Sequence, residues 1–348
     1  EGACGTCTVL VDGKAVKACV QKVSRFVGKS VLTVEGLSQR ERQVYEYCFG
    51  AAGAVQCGFC IPGMVLCAKG LLDKEPNPSA EDVKKAIRGN ICRCTGYKKI
   101  EEAILMAGKY FRENLEIPQD PKELHMDQRF NRPDAAKKVN GTGKYVDDLE
   151  FEGMLYAKAV RSKYPRARVN AIDISKALAH PDCARILLKK DVPDNVIGHM
   201  KKDWDVMLGE GDITRYVGDC LALVAVSRKE SLEEVVSLVA VDYTELTPVT
   251  TPQDALRGDA PLIHEDGNIM SKSTLVNGDV KTAISNSKYV VTRKYRTPHQ
   301  EHAFMEPECA VAMPEGEDGL LVYTGGQSVY DEQREIARML KIPREKVR

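Results

Sequence analysis

The spacing of apolar positions changes along the chain, and each pattern predicts a different kind of structure. Near the N-terminus, apolar and polar residues alternate over residues 8–11 and 15–20, on either side of Asp12-Gly13, which is the pattern of a β-hairpin. Between residues 37 and 114, apolar residues recur every three or four positions, which is typical of amphipathic helices. We predict four helices there, over residues 40–52, 62–72, 79–88 and 98–111.

Beyond residue 135, short apolar runs rich in strand-forming side chains are mixed with helical stretches. Residues 231–239 and 331–340 have helical spacing. Strands are predicted over residues 154–160, 185–188, 221–226, 289–295, 309–313 and 320–323. This part of the chain is therefore predicted to be mixed α+β. Before it, residues 115–134 carry three prolines among many charges, which predicts an exposed linker.

Two closely spaced cysteine pairs lie in the helical region. Cys57 and Cys60 form a C-x2-C pair, and after 31 intervening residues Cys92 and Cys94 form a C-x-C pair. Four thiolates in two pairs are a ligand set for an iron-sulfur cluster or for zinc. Structural zinc usually takes C-x2-4-C at both ends, so the unequal pairs favour a [2Fe-2S] cluster. Zinc and buried structural cysteines are the alternatives that the spacing leaves open.

A second metal-binding pattern lies at the N-terminus. Cys4 and Cys7 form another C-x2-C pair, and Cys19 follows after 11 residues, where the predicted hairpin returns it to the loop of the pair. Plant-type ferredoxins hold a [2Fe-2S] cluster with C-x4-C-x2-C and a more distant cysteine. On that spacing we expect the fourth ligand two residues before Glu1. A three-cysteine zinc site and plain structural thiols are the alternatives.

Composition narrows the class of partner. The 348 residues are enough for two or three domains, and 50 basic residues balance 50 acidic ones, so no charge excess indicates nucleic acid or a membrane surface. No apolar run reaches the roughly 18 residues of a membrane span. Seven of the 12 cysteines lie in ligand-like spacings, which favours metal binding in a reducing compartment, the cytoplasm. The start at Glu1, without methionine or signal peptide, predicts a piece of a longer polypeptide.

Three segments of the cysteine-rich part carry a family resemblance. Residues 1–8 (EGACGTCT), 56–63 (QCGFCIPG) and 90–97 (NICRCTGY) resemble the iron-sulfur portion of the xanthine oxidase family of molybdenum hydroxylases. The resemblance implies two [2Fe-2S] clusters and a molybdopterin cofactor. It also implies that Gln56 and Cys94 touch the pterin beside the second cluster.

The second half of the chain continues this resemblance. The segments GTGKYVDD at 141–148 and QEHAFMEP at 300–307 are similar to the molybdenum-side domains of the same family. The later segment implies that Gln300 hydrogen-bonds an oxygen ligand of molybdenum. Because the predicted linker leads directly into the earlier segment, we expect no flavin domain, and no FAD, in this chain. The electron acceptor is then expected to be a separate flavoprotein or another carrier.

The resulting fold prediction is an α+β multidomain chain in five segments. A partial plant-type ferredoxin domain of β-grasp type is expected over residues 1–36, and a four-helix [2Fe-2S] domain over residues 37–114. The linker at 115–134 precedes a first molybdenum-side α+β domain at 135–251. A molybdopterin-binding domain is expected to begin at residue 252 and to be truncated at residue 348.

Within the family, the chain most resembles flavin-free, selenium-dependent xanthine dehydrogenases. This implies oxidative hydroxylation of xanthine or a related purine, with electrons leaving through two clusters, in an enzyme expected to be an oligomer. Selenium as a molybdenum ligand and a cytosine dinucleotide form of the cofactor stay open. The family's general-base glutamate is expected beyond Arg348, so no catalytic residue is assigned here, and the segment alone is expected to be inactive. An aldehyde oxidoreductase of the same layout and an electron-transfer subunit are the alternative functions.

Overall fold

A computed structural model describes residues 2–118, 130–199 and 201–348. The chain divides into two units. Unit 1 contains the residues up to Asp148 together with Arg296–Cys309, and unit 2 contains Leu149–Tyr295 together with Ala310–Arg348. Among the described residues, no helix is long and apolar enough to cross a membrane.

Unit 1 begins with a small antiparallel sheet. Strand β1 (Thr8–Val11) pairs with β2 (Lys14–Lys17) on one side and with β3 (Val31–Leu32) on the other. Asp12 and Gly13 turn the chain between β1 and β2 with φ of 46° and 72°, the geometry of the tight hairpin turn that Asp-Gly favours. The predicted hairpin is therefore confirmed, although β2 ends at Lys17, because the following residues form a short 3-10 turn that carries Cys19. The assignment of this sheet to a β-grasp domain stays a prediction.

Four helices follow at the predicted places. They are α1 (Gln39–Ala51), α2 (Ile61–Leu72), α3 (Ala80–Ile87) and α4 (Lys98–Arg112). Ser38 and Ser79 begin α1 and α3 with capping boxes, in which the serine hydroxyl accepts a backbone N–H and an acidic side chain accepts the N–H of the serine. The apolar stripes of the helices meet in one core, whose largest buried side chains are Tyr45, Phe49, Ile61, Met64, Leu66, Ile100 and Ile104.

A fifth, short helix also belongs to unit 1. This helix is α5 (Ala135–Val139), and its Ala135 and Val139 are buried in the same core as the four longer helices. Of the predicted linker, residues 119–129 lie outside the described residues. The bounds of the five predicted segments stay a prediction.

Unit 2 is built from small antiparallel sheets and short helices. Its strands are β4 (Tyr156–Arg161), β5 (Ala167–Asp173), β6 (Cys183–Leu187), β7 (Val196–Ile197), β8 (Trp204–Asp205), β9 (Cys220–Val226), β10 (Ala240–Glu245), β11 (Ala310–Glu315) and β12 (Gly319–Thr324). Its helices are α6 (Ser175–Leu178), α7 (Leu232–Ser237), α8 (Pro252–Ala255), α9 (Val280–Ser285) and α10 (Val329–Leu340). The strands pair in the orders β4-β9-β6, β10-β5, β7-β8 and β11-β12. The larger of two buried clusters lies between β9 and α7 and includes Val224 and Val235.

Most predicted elements of unit 2 are present, and one prediction is wrong. Strands β4, β6, β9, β11 and β12 and helices α7 and α10 lie where the sequence pattern predicts them. Residues 289–295 form no strand, and Tyr289, Val291 and Tyr295 are 79 %, 74 % and 87 % exposed. High β-propensity means that a side chain packs well on the half-buried surface of a sheet. No described strand pairs with this segment, so it has no sheet in which its side chains could pack.

Candidate functional site

The C-x2-C and C-x-C pairs meet in unit 1. Cys57 and Cys60 lie in the turn before α2, where Gly58 has φ of 85°, and Cys92 and Cys94 lie between α3 and α4. The Sγ atoms of Cys94 and Cys57 are 3.7 Å apart. A hydrogen bond between the thiols of Cys60 and Cys92 lowers the pKa of Cys92 to about 5 and raises the pKa of Cys60. Each pair therefore contributes one sulfur to each of these two close contacts.

Hydrogen bonds fix the C-x-C turn. The Cys92 N–H donates to the hydroxyl of Tyr97 at 2.9 Å, and the hydroxyl of Thr95 lies 3.1 Å from Cys92 Sγ. Gln56 Nε2 donates to the carbonyl oxygen of Cys94 at 2.9 Å. Gln56 and Cys94, which the family resemblance pairs at the pterin, are thus in direct contact. Their contact with a pterin stays a prediction.

Two side chains that sequence reasoning missed cover the Cys57 loop. The Tyr145 hydroxyl donates to the Cys57 carbonyl at 3.0 Å, and the Tyr145 ring meets Phe59 edge-on at 5.5 Å between centroids. Burial, and then the charge of Cys57, raise the pKa of Tyr145. Lys138 Nζ lies 5.7 Å from the centre of the Tyr145 ring and donates to the Gln56 carbonyl at 3.4 Å. Both residues come from the 135–148 stretch, which the sequence pattern assigned to the next domain.

The other three candidate cysteines also lie close together in unit 1. The Cys19 N–H donates to Cys7 Sγ at 3.4 Å. A hydrogen bond from the Cys7 thiol is the largest cause that lowers the pKa of Cys19, and a backbone hydrogen bond from Thr6 is the largest cause that lowers the pKa of Cys4. The charges of Cys4 and Cys19 act on each other. These lowered pKa values favour thiolates, the form of cysteine that binds metal.

Asn90 connects the two groups of cysteines. Its side chain is buried, and Nδ2 donates to the carbonyl oxygen of Gly5 at 2.9 Å and to the hydroxyl of Thr8 at 3.2 Å. The next N–H, of Ile91, donates to the Cys4 carbonyl at 2.7 Å. A Cβ on Gly63 in α2 would lie 2.7 Å from the Gly5 carbonyl, so the loop rests directly on that helix. The loop of Cys4 and Cys7 is therefore held against the segment that leads to Cys92.

The segment of Gln300 lies against the same turn. Arg93 Nε donates to the carbonyl oxygen of His302, and Arg93 Nη2 donates to that of Glu301, each at 2.7 Å. The side chain of Gln300 is exposed. The structure thus brings Gln300 into one unit with Gln56 and the C-x-C turn, although Gln300 follows both of them by more than 200 residues in sequence. A contact of Gln300 with molybdenum stays a prediction.

The chemistry of the donor set fits the groups that the sequence implies. Four thiols in two cross-paired sets match the ligands of a [2Fe-2S] cluster, and three further thiols match part of a second set. Next to the first set, Gln56 keeps its amide oxygen available, and the Gln300 amide is exposed. Amide groups of this kind hydrogen-bond polar cofactor atoms.

Comparison with known families matches three parts of the chain. Residues 33–105 match the [2Fe-2S] binding domain, and residues 140–247 match the a/b hammerhead domain of aldehyde oxidase and xanthine dehydrogenase. Residues 263–348 match the molybdopterin cofactor-binding domain. The order of these matches is that of an iron-sulfur part followed by a molybdenum part.

Individual proteins are similar to each part and to the whole. One subunit of a probable xanthine dehydrogenase from Bacillus subtilis is 40 % identical over 218 residues, which are 62 % of this chain and 29 % of that protein. The nicotinate dehydrogenase small FeS subunit of Eubacterium barkeri is 45 % identical over 108 residues, 31 % of this chain and 69 % of that subunit. The solved structure of the aldehyde oxidoreductase from Desulfovibrio gigas superposes with a TM-score of 0.85 and 29 % identity, covering all of this chain and 41 % of that one.

These similarities agree with the arrangement of cysteines in unit 1. The structural match shows a multidomain architecture that combines iron-sulfur and molybdopterin-binding parts. The chain spans less than half of the length of the aldehyde oxidoreductase and less than a third of the Bacillus protein. By its iron-sulfur domain, its hammerhead domain and its molybdopterin-binding domain, this chain belongs to the xanthine oxidase family of molybdenum hydroxylases.

Proposed function

We propose that the protein containing this chain oxidatively hydroxylates xanthine or a related purine, as a flavin-free member of its family that is similar to the selenium-dependent xanthine dehydrogenases. The observation that carries the proposal is that one unit contains Gln56, the segment of Gln300 and the cysteine quartet, which is Cys57, Cys60, Cys92 and Cys94. An electron-transfer subunit would not need a molybdopterin-binding part, which residues 263–348 match. The related protein named as part of a xanthine dehydrogenase supports a purine as the substrate.

In this proposal, cysteine side chains hold two iron-sulfur clusters. Cys57, Cys60, Cys92 and Cys94 would hold one [2Fe-2S] cluster, and Cys4, Cys7 and Cys19 would supply ligands to the other. When bound, such clusters supply one-electron transfer. The chain's own residues tune this property, because hydrogen bonds near sulfur and burial set the reduction potential. Thr95 beside Cys92 Sγ and the buried position of Cys60 are such features.

Three amino-acid residues would face the molybdenum cofactor. Gln56 and Cys94 would contact the pterin, and Gln300 would donate a hydrogen bond to an oxygen ligand of the metal. When bound, the cofactor supplies the two-electron oxidation of the substrate carbon. The role of Gln56 and Gln300 would be to orient the cofactor beside the cysteine quartet, since a side-chain amide can both donate and accept hydrogen bonds. A cytosine dinucleotide form of the cofactor is compatible with this assignment.

An aldehyde is the second candidate substrate. The aldehyde oxidoreductase structure that covers all of this chain favours it, because its match extends through both units. Purine and aldehyde oxidation would use the same cofactor, so the resemblance of the cofactor-binding parts does not separate them.

The experiment that separates the candidates is turnover by the full-length protein. Anaerobically purified enzyme is assayed with an artificial dye acceptor, against a panel of purines and a panel of aldehydes, and its flavin and selenium contents are measured. We expect purine hydroxylation and no flavin bound to this polypeptide, with a separate flavoprotein or other carrier as the acceptor, and the selenium content decides whether selenium is a ligand of molybdenum. Turnover of aldehydes without turnover of purines would contradict the purine assignment. A stoichiometric flavin released from this polypeptide would contradict the flavin-free assignment.

A further inference from the structure

We propose that Arg93 is a positioning residue, which clamps the backbone of the segment 300–302 to the turn between Cys92 and Cys94. The hydrogen bonds of Arg93 to this segment are observed in the structure. The consequence for Gln300 rests on the function proposed above, in which that side chain faces the molybdenum cofactor.

The contacts have the geometry of a two-point clamp. Arg93 Nε and Nη2 donate to the carbonyls of His302 and Glu301, two consecutive residues, and both distances are 2.7 Å. A guanidinium is planar and holds its donors in a rigid fork, so two bonds to neighbouring carbonyls fix the direction of the backbone as well as its position. A lysine ammonium is a point donor on a flexible stem and cannot reproduce this arrangement.

The clamped segment has little other support from its own side chains. The side chains of Glu301 and His302 are 84 % and 83 % exposed, and Gln300 is exposed as well. Ala303 follows with φ of 48°, a left-handed conformation that is unfavourable for a non-glycine residue. Half-buried side chains resume at Phe304. The Arg93 clamp is therefore placed where the segment is exposed and its backbone is strained.

The base of the clamp is firmly held. Cys92 and Cys94 flank Arg93, the Cys92 N–H donates to the Tyr97 hydroxyl, and the Cys94 carbonyl accepts from Gln56. Arg93 therefore projects from a fixed turn, and its hydrogen bonds fix the position of the segment that begins at Gln300 relative to that turn. The consequence is that the metal-ligand turn and the Gln300 segment keep a constant spacing.

Proteolysis at the clamped bond tests this inference. A glutamyl endopeptidase cleaves after Glu301, and to do so it must take the carbonyl that Arg93 holds. Exposed Glu317, in the turn between β11 and β12, is an internal reference site in the same protein. In full-length protein, Arg93→Ala should raise the rate of cleavage after Glu301 relative to Glu317 by roughly tenfold, because the two exposed hydrogen bonds that hold the segment are lost and cleavage follows the open population.

Two further variants make the test specific. Arg93→Lys keeps the charge but loses the fork, so cleavage after Glu301 should rise by several-fold, and kcat of the full-length enzyme should fall while iron content is unchanged. Arg112→Ala is the matched control, since Arg112 Nη1 donates to the Pro76 carbonyl at 2.8 Å at the end of α4 that is remote from the C-x-C turn. It should change neither cleavage nor kcat. Unchanged cleavage in both Arg93 variants would overturn the clamp, and increased cleavage with unchanged kcat would overturn the positioning role. Both results are independent of whether the substrate is a purine.

Discussion

Gly58 illustrates what the site requires of a single residue. It lies between Cys57 and Cys60 with φ of 85°, and a Cβ added to it would lie 2.5 Å from Cδ and 2.8 Å from Cβ of Lys138. The spacing of the cysteines was readable in the sequence, because ligand pairs are local. The partners Lys138, Tyr145 and Asn90 were not, because they reach the loops from positions more than 80 residues away. A local pattern carries no information about such contacts.

A substitution at Gly58 tests this crowding. Gly58→Ala should lower the free energy of unfolding by about 1–3 kcal/mol more than the same substitution does at an uncrowded glycine with positive φ, because the new methyl group overlaps Lys138. The measurement is urea unfolding of iron-loaded protein, followed by the visible absorbance of the clusters. Gly53→Ala is the matched control, since Gly53 has φ of 67° and open space around its Cβ position. Equal losses in the two variants would show that Lys138 does not crowd the loop.

At the scale of elements, α1 to α4 were predictable because each has a strong amphipathic period and two begin with capping boxes. The 289–295 segment was mispredicted as a strand for the opposite reason. A strand is completed by its neighbour, and Tyr289 and Val291 stay exposed where no described strand pairs with them. Helices satisfy their own backbone hydrogen bonds, whereas strands depend on partners that a local pattern does not identify.

The start of α1 provides a pH-dependent prediction. Burial would raise the pKa of Glu41, but hydrogen bonds from Lys69, 2.6 Å away, and from Ser38 outweigh it and hold the pKa below its ordinary value of 4.5. A depressed carboxyl pKa stabilises the fold above the unfolded-state pKa, and this stability is lost as the pH falls through the lower folded-state pKa. Glu41→Gln should therefore cost about 1 kcal/mol or less at pH 7, and the difference from wild type should shrink below about pH 4.5.

The measurement is the free energy of unfolding of both proteins between pH 3 and pH 7. Glu81→Gln, at an exposed position in the first turn of α3, is the control for loss of a carboxylate in a helix start. A difference between Glu41→Gln and wild type that stays constant over this range would contradict the assigned ion pair.

At the scale of the whole molecule, the order of parts was predictable and their assembly was not. The cysteine spacings and the QEHAFMEP segment indicated an iron-sulfur part followed by a molybdenum part, and the family matches agree with that order. The sequence did not indicate that Arg296–Cys309 would join unit 1 while its flanking residues belong to unit 2. Within unit 1, Arg93 holds the segment of Gln300 against the C-x-C turn. Only the three-dimensional structure reveals this contact.

We expect the cysteine quartet to hold a [2Fe-2S] cluster within a molybdenum hydroxylase, and metal analysis is the decisive test of this assignment. Iron, acid-labile sulfide and zinc are measured in anaerobically purified full-length protein, in Cys57→Ser and in the control Cys183→Ser, whose cysteine lies in β6 of unit 2. We predict about four irons and four sulfides per chain in wild type and in the control, and about half of each in Cys57→Ser. Zinc without sulfide, or full iron content in Cys57→Ser, would contradict the assignment of a [2Fe-2S] cluster to these four cysteines.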